Sequence, residues 1–292
     1  MMWENRIKTV ALLGSLSGIL LLVGRVFGGA TGLTIALLIA VGMNIFAYFY
    51  SDKMVLRMYN AQPLNPVEHA NIYAMVQQLC TTMKMPMPKL YLINTPMANA
   101  FATGRGPSHA SVAVTTGILR ILAPEELRGV LAHELSHVQN RDILVSTIAA
   151  TLATAIGYLA NMMQQMAFWG AMSSSSDGRR RGNPIFMIFV AILMPIAASL
   201  IQLAISRSRE FMADETGAHI CKDPLALAGA LQKLHSSAKS ASLQADDTAH
   251  ASTAPLFIVH PFSSETVMSL FSTHPPIAQR VARLQQMYDK MF

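Results

Sequence analysis

Cysteine is almost missing from this chain. Cys80 and Cys221 are the only two; they lie far apart, and neither forms a Cys-x-x-Cys pair. That spacing argues against a disulfide framework and fits a reducing compartment. Charge is scarce too: 13% of residues are Asp, Glu, Lys or Arg, against about 25% in soluble globular proteins. With 52% hydrophobic residues and a mean hydropathy of +0.37, the chain is not an ordinary soluble domain. Several membrane spans are expected. Basic residues are not interleaved with aromatics, so the net charge of +6 is no sign of a nucleic-acid partner. Cytoplasm-facing Lys and Arg beside anionic lipid account for it. No internal repeat is visible, and the 20 Met read as membrane and core filler.

The apolar residues fall into four runs: Ile7 to Val26, Leu33 to Tyr50, Ile143 to Phe168 and Pro184 to Ile205. Each is long enough to cross a hydrocarbon layer of roughly 30 Å. The first lacks a small-residue cleavage pattern, so it reads as a retained span rather than a signal peptide. The second ends on Phe46, Tyr48, Phe49 and Tyr50, an interfacial aromatic belt. Arg6, Lys8, Lys53 and Arg57 flank the outer ends of this pair, and only Arg25 lies in its connector. The positive-inside bias therefore puts the N-terminus and everything after Tyr50 in the cytoplasm. Arg179, Arg180 and Arg181 lie between runs three and four and oppose that bias. Two readings stand for this second pair: a hairpin that spans, which Arg141, Arg207 and Arg209 favour, or one that dips without crossing.

Between the pairs, residues 52–142 are ordinary soluble sequence. Asn65 to Lys84 has helical periodicity, with Asn65-Pro66 as an expected N-cap and first turn. Lys89–Ile93, Asn99–Thr103 and Ala110–Thr116 read as three extended pieces, and Gly117–Leu122 as a short helix. Ala123-Pro124-Glu125-Glu126 opens a further helix, with Pro and acids in its first turn. After the second pair, Leu225–Leu234 is helical, Ser236–Ala254 is expected to be a loop, Glu265–Phe271 a short helix, and Ile277–Met287 a closing amphipathic helix. Fold class follows: an α+β membrane protein, mostly helical, with a small β-sheet and about four transmembrane helices. The expected divisions are an N-terminal transmembrane hairpin (1–51), the first part of a cytoplasmic catalytic domain (52–142), a second hairpin (143–206) and the rest of that domain (207–292).

The helix that starts at Ala123 contains His133-Glu134-Leu135-Ser136-His137, an H-E-x-x-H motif. Four-residue spacing puts both imidazoles on one helix face, as two nitrogen ligands of one zinc ion require. Glu134 then stands beside a metal-bound water as general base. Glu210 is the best candidate for a third ligand. Asp214, one turn on, is placed to accept the far N–H of a ligand imidazole. The alternative for this acidic pair is to cap a helix dipole. A transmembrane hairpin returns the chain to the face it left, which brings Glu210 back towards His137.

The four motifs Asn99-Ala-Phe-Ala-Thr-Gly104, H-E-L-S-H, Glu210-x-x-x-Asp214 and Thr273-His274-Pro275-Pro276 occur in that order. Together with the four apolar runs, they make the chain resemble the HtpX family of membrane zinc endopeptidases, bacterial relatives of the CAAX prenyl endopeptidases. The resemblance implies a zincin-like (gluzincin) catalytic domain, with His133, His137 and Glu210 on one zinc ion and Glu134 as catalytic base. It also implies a multi-pass protein of the bacterial inner membrane whose site faces the cytoplasm. Its substrates would be misfolded or damaged membrane proteins, and its role quality control.

Several residues keep two readings. His274 is either a second donor to the oxyanion or a cap for the helix after Pro275. Arg280 either pairs with a site carboxylate or is a solvated helix charge, the latter being the preferred reading. Asn99 orients substrate or holds its loop. Ser111, Val112, Ala113 and Val114 are expected to bind substrate by edge pairing. An intramembrane protease is disfavoured by the polar residues flanking the motif, and a silent scaffold by the intact Glu134.

Overall fold

The computed structural model describes residues 2–148, 207–242 and 275–291. Run four, run three beyond residue 148, the Arg179–Arg181 cluster, the expected helix at Glu265–Phe271 and His274 lie outside those residues.

Helix α1 (Met2–Met58) contains both of the first two apolar runs, interrupted at Gly29. There φ is 60° and ψ −137°, a conformation open to glycine and closed to residues with a Cβ. The Asn44 side-chain amide donates to Ser17 Oγ at 2.8 Å. An unbroken helix would hold these residues about 40 Å apart, so α1 doubles back on itself at the glycine. Among the described residues, Gly28–Met58 is one stretch long and apolar enough to cross a membrane. Its bulky Leu38, Ile39, Phe46 and Phe49 are exposed, while the small Ala36, Ala40, Ala47 and Ser51 are buried. Small residues mark the face where a neighbouring helix packs closely.

Four strands follow: β1 (Gln62–Pro63), β2 (Lys89–Ile93), β3 (Ala100–Gly104) and β4 (Ala110–Thr115). Their order in the sheet is β1-β2-β4-β3. β4 runs parallel to β2, with Lys89 opposite Ser111, and antiparallel to β3, with Ala102 opposite Val112. It is buried throughout, so its sequence shows no polar alternation. One face of the sheet presents Leu90, Ala100, Ala102, Val112 and Val114 to the main core. The other packs Ile93, Phe101 and Ala113 under Val55 and Leu56 of α1. The β3–β4 turn needs Gly104, whose φ is +132° and where a Cβ would collide with the His109 carbonyl.

Further helices are α2 (Ala70–Thr82), α3 (Thr116–Ile121), α4 (Pro124–Gln139), α5 (Arg207–Cys221), α6 (Pro224–Ser242) and α7 (Ile277–Met291), and residues 142–148 are helical too. Helix α4 is central, packing on β3, α2, α5 and α6. Pro124 opens it, and the Glu126 carboxylate accepts the Ala123 N–H at 2.8 Å. Val130, Leu131, Leu135 and Val138 of α4 are fully buried with Leu227, Leu231 and Leu284. Each such side chain contributes about 1.5–3 kcal/mol through its removal from water.

Two boundaries differ from expectation. Helix α2 begins at Ala70, because the Asn65 side chain accepts the Val67 N–H and closes a turn ahead of the helix. Residues 236–242, expected to be loop, continue α6 as helix. Strand β1, two residues long, had no sequence signal.

Candidate metal centre

Helix α4 is largely buried, and it carries the candidate ligands His133 and His137 on the face turned to α5. His133 is 1% exposed and Glu134 6%. The two imidazoles meet edge to face, with ring centroids 4.8 Å apart. Close approach of α5 is set by Gly217, where an added Cβ would lie 3.0 Å from the His133 backbone nitrogen. Glu210, in the first turn of α5, therefore reaches both rings. Its Oε2 is 3.7 Å from His133 Nε2 and its Oε1 is 3.5 Å from His137 Nε2. One donor atom from each of the three residues lies within 4.8 Å of the others.

This donor set fits zinc. Two imidazole nitrogens and a carboxylate, with a fourth position left open, form a catalytic ligand set. A tetrahedral ion with bonds of about 2.0–2.2 Å separates its donors by about 3.3–3.6 Å. The distances of 3.5 and 3.7 Å are close to that edge length and too long for good hydrogen bonds.

The far nitrogens are held as well. His133 Nδ1 lies 3.0 Å from Asp214 Oδ1. Asp214 in turn accepts from Arg280 Nε at 2.7 Å and Nη2 at 2.6 Å. The reading preferred from sequence is a solvated Arg280. The structure instead buries it completely, because α7 lays this position against α5 and two carboxylates meet its charge, Asp214 and Glu210 at 3.6 Å. Burial alone would push the Asp214 carboxyl up, but the Arg280 charge and hydrogen bonds, with His133, hold it well below the usual carboxylate range. Likewise, burial would lower the Arg280 pKa, but the charge and hydrogen bonds of Asp214 push it above its usual value.

Sequence reasoning missed a second such contact. His137 Nδ1 lies 3.2 Å from Asp142 Oδ2. Burial would lower the His137 pKa; the Asp142 hydrogen bond and the charges of Glu210 and Glu134 instead push it up to about 9. Asp142 falls five residues after His137, beyond the end of α4, so no helical spacing pointed to it. Its signal was an acid at the mouth of an apolar run.

Glu134 was also unaccompanied in sequence. In the structure its Oε2 accepts the Ala102 N–H of β3 at 2.9 Å. Burial pushes its carboxyl up, opposed by the charges of His133 and His137. The contact shows that Ala102 turns its N–H to the side of β3 away from β4. Among the described residues, no strand pairs with that side.

The expected substrate residues land elsewhere. Ser111, Val112, Ala113 and Val114 are in β4, which has β2 on one side and β3 on the other. An interior strand has no unpaired edge, so pairing of a substrate with these residues is ruled out. The outer strand on that flank is β3. Asn99 is 3% exposed, and its backbone bonds the Thr115 hydroxyl at 2.9 Å and the Thr115 N–H at 3.0 Å. It lines a cavity of about 280 Å³ with Tyr59, Gln62 and Phe101, on the face of the sheet away from α4.

Residues 66–288 match peptidase family M48. The chain belongs to that family. It is similar over 97% of its length to the protease HtpX homolog of Paraburkholderia phytofirmans, at 51% identity and 97% coverage of that protein. The protease HtpX homologs of Burkholderia thailandensis and Burkholderia mallei are each 50% identical, with 97% coverage of both chains. The resemblance read from the four motifs therefore stands. Among solved structures, the crystal structure of S. mikatae Ste24p matches with a TM-score of 0.52 at 19% identity. That match covers 97% of this chain and 66% of Ste24p, and it shows a shared fold. M48 membership makes the chain a membrane-associated metalloprotease, an enzyme that hydrolyses peptide bonds and uses a metal.

Proposed function

We propose that the chain is a membrane-anchored zinc endopeptidase with about four transmembrane helices, cutting misfolded or damaged membrane proteins at the cytoplasmic face of a bacterial inner membrane. The observation that carries this reading is the convergence of His133, His137 and Glu210 within 4.8 Å, with Glu134 on the same helix as the two histidines. These three residues would hold one zinc ion, with Asp214 orienting His133. When bound, zinc supplies Lewis-acid polarisation of a water and of the scissile carbonyl.

The remaining work falls to the chain's own residues. Glu134 accepts the proton of the attacking water on its carboxylate and delivers it to the departing amide nitrogen. The Ala102 N–H fixes one carboxylate oxygen, so the base is oriented before substrate arrives. A substrate laid along the outer edge of β3 passes beside Glu134, held by backbone hydrogen bonds. Backbone recognition of this kind asks for an extended chain rather than a given sequence, which suits unfolded substrates. His274, next to Pro275 and the start of α7, is the candidate for a second donor to the oxyanion.

The test is cleavage of casein by the purified, zinc-loaded full chain. Glu134→Ala should abolish cleavage and keep the metal. Equal cleavage by that variant would remove Glu134 as the base.

A further inference from the structure

The two candidate imidazoles are supported in the same way. At His133 the sequence of contacts is imidazole, Asp214, Arg280. At His137 it is imidazole, Asp142, and then Arg209, whose Nη1 is 3.9 Å from Asp142 Oδ1. Asp142 and Arg209 are both buried, at 3% and 6% exposure. The carboxylate of Asp142 divides its oxygens, Oδ2 to the imidazole and Oδ1 to the guanidinium.

We propose that Asp142 and Arg209 are positioning residues for His137, the counterpart of Asp214 and Arg280 at His133. The proposal rests on His133, His137 and Glu210 being metal ligands. A neutral imidazole that ligates through Nε2 carries its proton on Nδ1, and a carboxylate on that side fixes both tautomer and ring angle. A buried carboxylate needs a cation, or it is costly to keep ionised beside Glu210 and Glu134. Arg209 supplies the charge. It also precedes Glu210 on α5, so the same contact holds the first turn of α5 against the end of α4. That sets the 3.5 Å approach of Glu210 to His137.

Placement adds a second consequence. Asp142 directly precedes the apolar run that starts at Ile143, and Arg209 follows the run that ends at Ile205. The ion pair thus joins the two ends of the intervening stretch beside a candidate ligand. The contacts here are longer than at His133, and the His137 side chain is 14% exposed against 1% for His133. Its support is the looser of the two, so its loss should loosen the metal without abolishing binding.

The experiment uses the purified full chain in detergent, stripped of metal by chelation. Zinc affinity is read by competition with a chromophoric chelator, cobalt(II) coordination by its visible absorption bands, and fold by the melting temperature of the metal-free protein. Asp142→Asn keeps the volume and removes the charge. It should weaken zinc binding about 10–100-fold and alter the cobalt spectrum. Arg209→Gln should act in the same direction, Arg209→Lys should restore most of the affinity, and Arg209→Gln should add little on top of Asp142→Asn, because both act through one carboxylate. Wild-type affinity and spectrum in Asp142→Asn and Arg209→Gln overturn the proposal, as does full additivity in the double variant. If Asp142→Asn does not fold, the comparison of Arg209→Gln with Arg209→Lys decides by the same readouts. A wild type that takes up neither zinc nor cobalt overturns the ligand assignment itself, and the proposal with it.

Discussion

Arg280 is a cation with no solvent exposure, and its charge is met by Asp214 and Glu210. Arg280→Met would leave Asp214 ionised and buried without its partner. Breaking a buried pair in this way costs about 3–5 kcal/mol. The melting temperature of the detergent-solubilised protein checks it; an unchanged value would mean the pair contributes nothing net. Cys80 shows burial acting on a neutral group. Removal from water pushes its thiol pKa up to about 11. The folded state thus favours the protonated thiol more than the unfolded chain does. That contribution to stability is complete below the unfolded pKa of about 8.5, and it is lost as pH rises through about 11. Maleimide at neutral pH should leave Cys80 unlabelled in the folded protein and label it in denaturant, as mass spectrometry would show. Fast labelling of the native protein contradicts this.

At the scale of elements, the site depends on how closely α5 approaches α4. Gly217 permits that approach. Gly217→Val drives two methyl groups into the backbone at His133, so α5 must move away and take Glu210 with it. Zinc affinity should fall at least about tenfold, the lower end of what disturbed metal surroundings cost. Gly229→Ala is the control. Its added Cβ would meet the Glu126 carboxylate oxygen at 3.1 Å, the end of a flexible side chain that can turn aside. The control should keep wild-type affinity in the same chelator competition. Equal affinity in both variants would show that the spacing of α4 and α5 does not set the site. The sheet acts on the site from the other side. β3 delivers the Ala102 N–H to Glu134 only because β4, not β3, occupies the interior of the sheet.

For the whole molecule, the proposed topology is tested at the stretch between Asp142 and Arg209. On the proposed topology the catalytic region is cytoplasmic, and a spanning hairpin then puts Ser175 on the opposite side. A cysteine at Ser175 should react with an impermeant thiol label in cells whose inner membrane is intact. Burial pushes the Cys221 thiol up to about 11 as it does Cys80, which slows the labelling of both native thiols. Labelling only after the inner face is opened would mean that the hairpin dips and returns.

Much of the fold was legible because its signals are local. Lys89–Ile93 and Ala110–Thr115 are short β-branched runs between turns, α4 opens on Pro and acids, and α7 carries its apolar stripe at helical spacing. The H-E-x-x-H spacing by itself determined that two imidazoles share a helix face, since that follows from 3.6 residues per turn. Other features had no local signal. Strand β1 exists only because β2 offers it hydrogen bonds. The placing of β4 inside the sheet is a matter of strand order, which alternation cannot encode. Asp142 reaches His137 across a helix end, and Arg280 reaches Asp214 from 66 residues away. The sequence by itself determined the donors on α4 and the apolar character of the chain. Only the tertiary structure decided which carboxylates and cations surround those donors, because burial and charge compensation are properties of packed elements and not of any one stretch.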